Sequence, residues 1–318
     1  MISLVDKQFV DLILGLDFAE IKSRSGGERS NEALGPEYAS ELADLRAQCR
    51  ARQSARDITE FNVTLRDVRF RAVTFSDVDE KPVWLLSRSE TEDMPLEKIG
   101  LPKAVITEVL RPKLSGLILI LGGFGDGKTT TAASMFASRV EKFGGLGMSF
   151  EDPVECKLNG VRGRGRIVQV PVYGSYQGPL QAGLRSRAEN FYVGEIRNAA
   201  TAIEVLHYAS NETPIFATLH ADTIEQGLLK FQAWCRAMDK SAEAINAMLA
   251  EAIAMIVHQK LETVVGIGGV TSRRLIPRSL ILHTESGMSS VKAKIRKGDF
   301  AALGDEIHAQ ASRGAYNT

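Results

Sequence analysis

The stretch GGFGDGKTT at 122–130 limits what this chain can fold into more than any other feature. It meets the pattern G-x-x-x-x-G-K-[ST] through Gly122, Gly127, Lys128 and Thr129. A continuous apolar run, GLILIL (116–121), precedes it, and a helical pattern, TTTAASMFASRVEK (129–142), follows. A strand, a glycine loop and a helix in that order make a cradle for phosphate. Gly122, Gly125 and Gly127 let the backbone turn several N–H groups inward. Lys128 offers a point charge to β- and γ-phosphates, Thr129 a hydroxyl to Mg2+, and the helix aims its positive N-terminus at the anion. Gly123, Phe124, Asp126 and Thr130 complete the candidate nucleotide-binding stretch. Asp126 is the odd member, an anion two places before the lysine. Its carboxylate is expected to turn from phosphate, toward solvent or a basic neighbour. A glycine turn with no ligand is the competing reading, and the flanking strand and helix argue against it.

Beyond the loop, strands and helices alternate. GLGMSF (145–150), NFYVGE (190–195) and PIFATLH (214–220) read as further strands, and AATAIEVLHYAS (199–210) as a helix. This is an α/β pattern, with ligands expected at the carboxyl ends of its strands. Four side chains stand there. Glu195 follows an apolar strand, where an acid holding a Mg2+ shell through water belongs. Glu151 and Asp152 follow another, and Pro153 ends it; Glu151 is the candidate for polarising an attacking water. His220 closes a third strand and is placed to sense a γ-phosphate. A solvated glutamate and a structural histidine are the bland alternatives. His207, His258, His283 and His308 fall in expected helices or peripheral strands and carry no role. SAEAINAMLAEAIAMIVHQKLE (241–262) puts Ile245, Met248, Leu249, Ala252, Ile256 and Val257 on one helical face. It is expected to be one long amphipathic helix of the core or a subunit contact.

The first hundred residues read as a small α+β domain, 1–100, with a linker from about 91, followed by a second domain, 104–318. EYASELADLRAQCRARQSA (37–55) has helical spacing. FNVTLR (61–66), RFRAVTF (69–75) and PVWLLSR (82–88) read as strands, the first two joined at Asp67-Val68. With 39 basic and 39 acidic residues, the chain shows no bulk pull toward nucleic acid or anionic lipid. Cys49, Cys156 and Cys235 form no CxxC pair, which fits a reducing compartment and excludes a tetracysteine zinc site. Acids interrupt the apolar N-terminus, so no secretory signal is read there, and no run approaches the ~18 residues of a membrane span. A cytoplasmic protein is expected, reaching a membrane only through partners. The last residues, SRGAYNT, carry no helix-capping signal, as at a truncated end.

The order of the phosphate loop, EDPVE (151–155), VGEIR (193–197) and TLH (218–220) resembles the secretion ATPases of the PilT/GspE superfamily. RFRAVTF with SR and MPLEKIGLP resembles that family's N-terminal domain and linker. MLAEAIAMIVHQKL and LIPRSLILHTESGMSSVKAKIRKGDF resemble its C-terminal helices. The likeness runs from about residue 58 to 308. It implies a RecA-like P-loop ATPase domain preceded by a small α+β, PAS-like domain. It further implies a homo-hexameric, Mg2+-dependent motor that binds ATP between its domains and acts on inner-membrane platform proteins. By the same resemblance Glu151 is the catalytic glutamate, Glu195 the Walker-B acid and His220 the second His-box histidine. Arg69, Arg71 and Arg88 match arginines that look toward phosphate, although arginines solvating a strand face would read alike. The departures are specific. The family writes GPTGSGK where this chain has Gly123, Phe124 and Asp126. Thr213 stands for the first His-box histidine, and Asn198 for the aspartate that ends the Walker-B box. The tetracysteine motif of extension motors is missing. These features place the chain nearer PilT-like retraction motors or Dot/Icm- and conjugation-type ATPases. A nucleic-acid translocase and a nucleotide-binding assembly subunit with little turnover are the competing functions.

Overall fold

The computed structural model describes residues 3–25, 28–56, 58–88, 94–210, 213–238, 241–265, 271–282 and 288–315. The chain divides into two compact units, one of Met1–Thr91 with Asp152–Lys157, the other of Glu92–Glu151 with Leu158–Thr318. The division falls inside the EDPVE box. His283 lies outside the described residues.

The first unit is an antiparallel sheet with one long helix. Its strands are β1 (Asp11–Leu14), β2 (Ala19–Ser25), β3 (Glu28–Ala33), β4 (Glu60–Leu65), β5 (Val68–Ser76) and β6 (Pro82–Arg88), with α1 (Ala39–Arg56) between β3 and β4. They lie in the order β3-β2-β1-β6-β5-β4. Period-two alternation sets the faces: Phe61, Val63, Phe70, Ala72, Trp84 and Leu86 point inward onto Leu42, Leu45 and Cys49 of α1. Arg69 and Arg71 therefore take the opposite face of β5. The hairpin turns at Arg66-Asp67, one residue earlier than the sequence suggested, with Arg66 at φ 52°.

In the second unit eight strands lie in the order β14-β13-β7-β12-β11-β8-β10-β9. These are β7 (Gly116–Gly122), β8 (Gly145–Glu151), β9 (Gly160–Arg162), β10 (Gly165–Pro171), β11 (Asn190–Val193), β12 (Pro214–His220), β13 (Ile253–Val265) and β14 (Thr271–Ile281). The six from β13 to β10 run parallel, and β14 and β9 close the edges antiparallel. The helices are α2 (Lys103–Val109), α3 (Lys128–Phe143), α4 (Gln177–Arg185), α5 (Ala199–Ala209), α6 (Ile224–Arg236), α7 (Ala242–Ala252), α8 (Met288–Lys297) and α9 (Gly304–Ala315). Phe136 of α3 meets Tyr192 and Phe216 on one side of the sheet. Leu117, Leu119, Leu121, Val193 and Leu219 face a core built with α5, α6 and α7. Every residue of β7 is buried because both faces are covered.

Two expected elements are overturned. Residues 241–262 are not a single helix: α7 stops at Ala252, and Ile253 turns extended at φ −76°, ψ 123°. IAMIVHQKLETVV then becomes β13, paired parallel with β7 through Ile256–Leu119, Val257–Ile120 and His258–Leu121. A strand buried on both faces reads as an unbroken apolar run, which periodicity cannot tell from buried helix. His258 is thus on a strand, the second from the β14 edge of the sheet. LIPRSLIL, read with the C-terminal helices, is likewise strand β14.

Among the described residues no helix is long and apolar enough to cross a membrane. Cys49, Cys156 and Cys235 are buried free thiols, and burial pushes Cys49 up to about 12.

Candidate functional site

The parallel strands bring the predicted residues of the second unit to one edge. His220 pairs with Gly122 in the β12–β7 register, so the histidine stands beside the first residue of the loop. Val193 pairs with Phe150 and Ala217, which sets Glu195, Glu151 and His220 on neighbouring strand ends. A Cβ on Gly194 would lie 3.2 Å from Cγ of Glu151, so the two acidic boxes touch through a glycine.

Left-handed backbone calls for glycine twice in the loop. Gly125 and Gly127 take φ of 78° and 76°, the left-handed region that side chains disfavour. The first bond of α3 joins Thr131 N–H to Gly127 O at 3.0 Å. The N–H groups of Thr129 and Thr130 therefore have no acceptor within the helix and point out of its end. Phe124 forms the exposed tip and stacks on His220, ring centres 6.4 Å apart.

Lys128 is buried, 7% exposed, and its Nζ donates to Gly123 O at 2.6 Å and approaches His220 Nδ1 at 3.1 Å. The histidine's Nε2 stands 3.1 Å from Glu195 Oε1, and Glu195 Oε2 accepts from Arg197 Nε at 2.7 Å. Cation, imidazole, carboxylate and guanidinium thus form one chain of contacts across three strand ends. Burial, and after it the charge of Lys128, holds His220 below the usual imidazole range. Lys230 of α6 donates to His220 O at 2.9 Å.

Glu151 is 1% exposed. Its Oε1 accepts from Ser149 Oγ and from Gln169 Nε2, each at 2.8 Å. Gln169 is itself fixed, because its Oε1 accepts the N–H groups of Leu158 and Asn159 at 2.9 Å. A carboxylate locked this way presents its second oxygen in one direction, as a group that orients a water must.

Asp126 is half-buried, and its carboxylate is held by main-chain donors where a basic neighbour or open solvent was expected. Oδ2 accepts Gly123 N–H at 2.7 Å and Oδ1 accepts Leu261 N–H at 3.0 Å. It is turned aside by main-chain donors of the loop and of β13. Gln259, fully buried on β13, donates to Asp126 O at 2.5 Å.

The other departures from the family pattern sort themselves by position. Asn198 caps α5, its Oδ1 accepting Thr201 N–H at 2.9 Å, which an aspartate would do as well. Thr213 precedes β12, whose seven residues carry it about 20 Å from His220. The three arginines are in the first unit. Arg69 donates to Cys156 O at 3.3 Å, and Arg71 pairs with Glu60 at 2.8 Å and Glu155 at 3.7 Å. Arg88 Nη2 donates to the carbonyls of Leu4, Val5 and Lys7, and its guanidinium lies 4.8 Å from the ring of Phe9.

Sequence reasoning missed Ser149, Gln169, Arg197, Lys230 and Gln259. The first carried a signal, since it is a polar residue two positions before Glu151 in an apolar strand. Gln169 and Gln259 sit on strands that the sequence did not declare.

The fold and this edge define a mixed α/β protein with a glycine-rich loop between strand β7 and helix α3. Residues 51–299 match the family described as type II/IV secretion system protein, and the chain belongs to that family. The type IV pilus ATPase PilU of Pseudomonas aeruginosa is 30% identical over 186 residues, 55% of this chain and 47% of that one. The chain spans about half the length of the first curated relatives it matches. Among solved structures, that of the pilus retraction motor PilT with bound ADP has a TM-score of 0.76 at 24% identity, covering 96% of this chain and 87% of that one. The Legionella pneumophila ATPase DotB has a TM-score of 0.71 at 19% identity, covering 93% and 83%.

Proposed function

We propose that this chain is the ATPase motor of a type IV secretion, conjugation or type IV pilus machine, and that it hydrolyses ATP at the edge described above. In this reading the second unit is a RecA-like P-loop domain and the first an α+β, PAS-like domain. The protein works as a homo-hexamer in the cytoplasm, against inner-membrane platform proteins. A PilT-like retraction motor is the nearest variant of the same reading.

The observation that carries it is the convergence of Lys128, His220, Glu195 and a locked Glu151 on one strand edge around a glycine loop. Family membership supports it independently. The loop's N–H groups and the start of α3 bind phosphate oxygens. Lys128 exchanges Gly123 O and His220 for β- and γ-phosphate oxygens. Among the described residues no cluster of three or more His, Cys, Asp or Glu is spaced to hold a metal ion. That suits Mg2+, which takes one or two protein oxygens and fills its shell with phosphate and water. Thr129 would supply a hydroxyl and Glu195 a water-mediated carboxylate, and the ion would neutralise charge on the β- and γ-oxygens. Glu151 orients and deprotonates the attacking water, and His220 reports the γ-phosphate after Lys128 has moved. Arg69 and Arg71 are the first unit's candidates for transition-state charge.

Steady-state ATP turnover of the full chain with Mg2+ tests the proposal. Glu151→Gln is expected to lower turnover ~10²–10⁴-fold while leaving nucleotide binding in place. Lys128→Ala is expected to lose binding. Tight binding without measurable turnover in hexamer-forming conditions would make the protein an assembly subunit. Turnover that required DNA would make it a translocase.

A further inference from the structure

We propose that Asp126 is a positioning residue that straps the phosphate loop to strand β13, making the loop's shape a property of the folded chain. The inference rests on the reading of GGFGDGKTT as a nucleotide loop and deepens it. β13 last pairs with β7 at His258–Leu121 and then runs on, so Leu261 lies beyond the ladder that β7 can supply. Asp126 Oδ1 accepts the Leu261 N–H at 3.0 Å. Its Oδ2 returns to the loop and accepts Gly123 N–H at 2.7 Å. Its own carbonyl accepts from Gln259 Nε2 at 2.5 Å. One residue is therefore tied at three atoms, two of the ties reaching β13 and the third closing the loop on itself.

The chemistry explains why an anion is tolerated here. A carboxylate satisfied by two backbone donors is directed at those donors, and a negative group near a helix N-terminus is favoured. The N–H groups of Thr129 and Thr130, at the start of α3, are not among those it uses. Gln259 is buried with its Oε1 unpaired, so its amide is held by the donation to Asp126. Gly127 adds contact, since a Cβ there would lie 3.1 Å from Leu261 Cδ1. Gly123 and Asp126, the two partners of the bond inside the loop, are both positions where this chain departs from GPTGSGK. The two departures work as one device. Through it, displacement of the β13–β14 hairpin reaches the phosphate site directly.

Amide hydrogen exchange and ADP binding on the full chain test this, with Asp126→Ala, Asp126→Asn and Gln259→Met. Asp126→Ala is expected to speed exchange at Leu261 and Gly123 at least tenfold. It should also weaken binding of a fluorescent ADP at least tenfold, about 1.4 kcal/mol, and raise KM for ATP with kcat within twofold. Asp126→Asn keeps one acceptor oxygen and should fall between. Unchanged exchange at Leu261, or ADP binding within twofold of the parent or tighter, overturns the strap. If Asp126→Ala does not fold, Asp126→Asn and Gln259→Met decide by the same readouts. A parent chain that bound no nucleotide would sink the functional reading, while the exchange data would still judge the strap.

Discussion

Lys128 Nζ and His220 Nδ1 lie 3.1 Å apart, and that contact fixes the histidine's state. An ammonium has only donors, so Nδ1 must accept and carry no proton. Nε2 is then the protonated nitrogen, and it faces Glu195 Oε1 at 3.1 Å. The neutral Nε2–H tautomer joins a cation to a carboxylate without adding charge between them. A lysine that left for a phosphate oxygen would free Nδ1 and weaken the second of the two influences, after burial, that hold the imidazole below its usual range. The histidine thereby registers where Lys128 is.

Stability should fall in mild acid for this reason. His220 is lowered from 6.5 by burial first and by Lys128 next, with Lys230 and Arg197 in the same direction and Glu195 against. His258 is lowered by burial and by Arg278, against the pull of Asp126, Asp222 and Glu225. In both cases the unfolded chain binds the proton more readily. Each contributes stability that is complete above about 6.5 and is lost as the pH falls through the lower, folded-state value. Tm between pH 5 and 8 should decline on the acid side, and His220→Gln and His258→Asn should each flatten the decline. A variant whose profile ran parallel to the parent's would remove that histidine from the account.

Arg88 is expected to matter for stability before catalysis. One nitrogen, Nη2, serves the carbonyls of Leu4, Val5 and Lys7, and the guanidinium lies over Phe9 and Phe70. Lysine keeps the charge but not the planar fork or the stacking, so Arg88→Lys should cost about 1–3 kcal/mol. The chain has two tryptophans, so a Trp234→Phe background lets Trp84 report the first unit alone in a denaturant titration. An unchanged midpoint with a defect confined to ATP turnover would return Arg88 to the phosphate-facing role that the family resemblance implies.

What could be read in the sequence followed the strength of each local signal. GLILIL, PIFATLH and PVWLLSR declared strands because each is short and opens on glycine or proline, and all three are strands, β7, β12 and β6. The strand ends then placed Glu151, Glu195 and His220 without further information. β2 and β3, AEIKSRS and ERSNEA, carry almost no apolar residues and were silent, since an edge hairpin draws its order from pairing with β1. β13 was misread because helix α7 runs into it without a polar break. That one error hid Gln259 and Leu261, and with them the destination of the Asp126 carboxylate. The loop's pattern and its strand–helix frame were legible; what holds the loop was not.

Two glycines of the loop should fail differently when changed to alanine. At Gly122 a Cβ would sit 2.5 Å from the carbonyl oxygen of Gln259, an atom of strand backbone that cannot swing away. Gly122→Ala must therefore push β13 from β7, an overpacking expected to cost about 1–3 kcal/mol and to disturb the Gln259–Asp126 contact. At Gly125 nothing lies within 4 Å of the added carbon, and the only penalty is the φ of 78°. Gly125→Ala should cost about 1 kcal/mol through backbone strain, leaving Leu261 amide exchange as in the parent. Denaturant midpoints and exchange at Leu261, measured on both variants, separate the two effects. Equal exchange at Leu261 in both would mean that Gly122 does not need its closeness to β13.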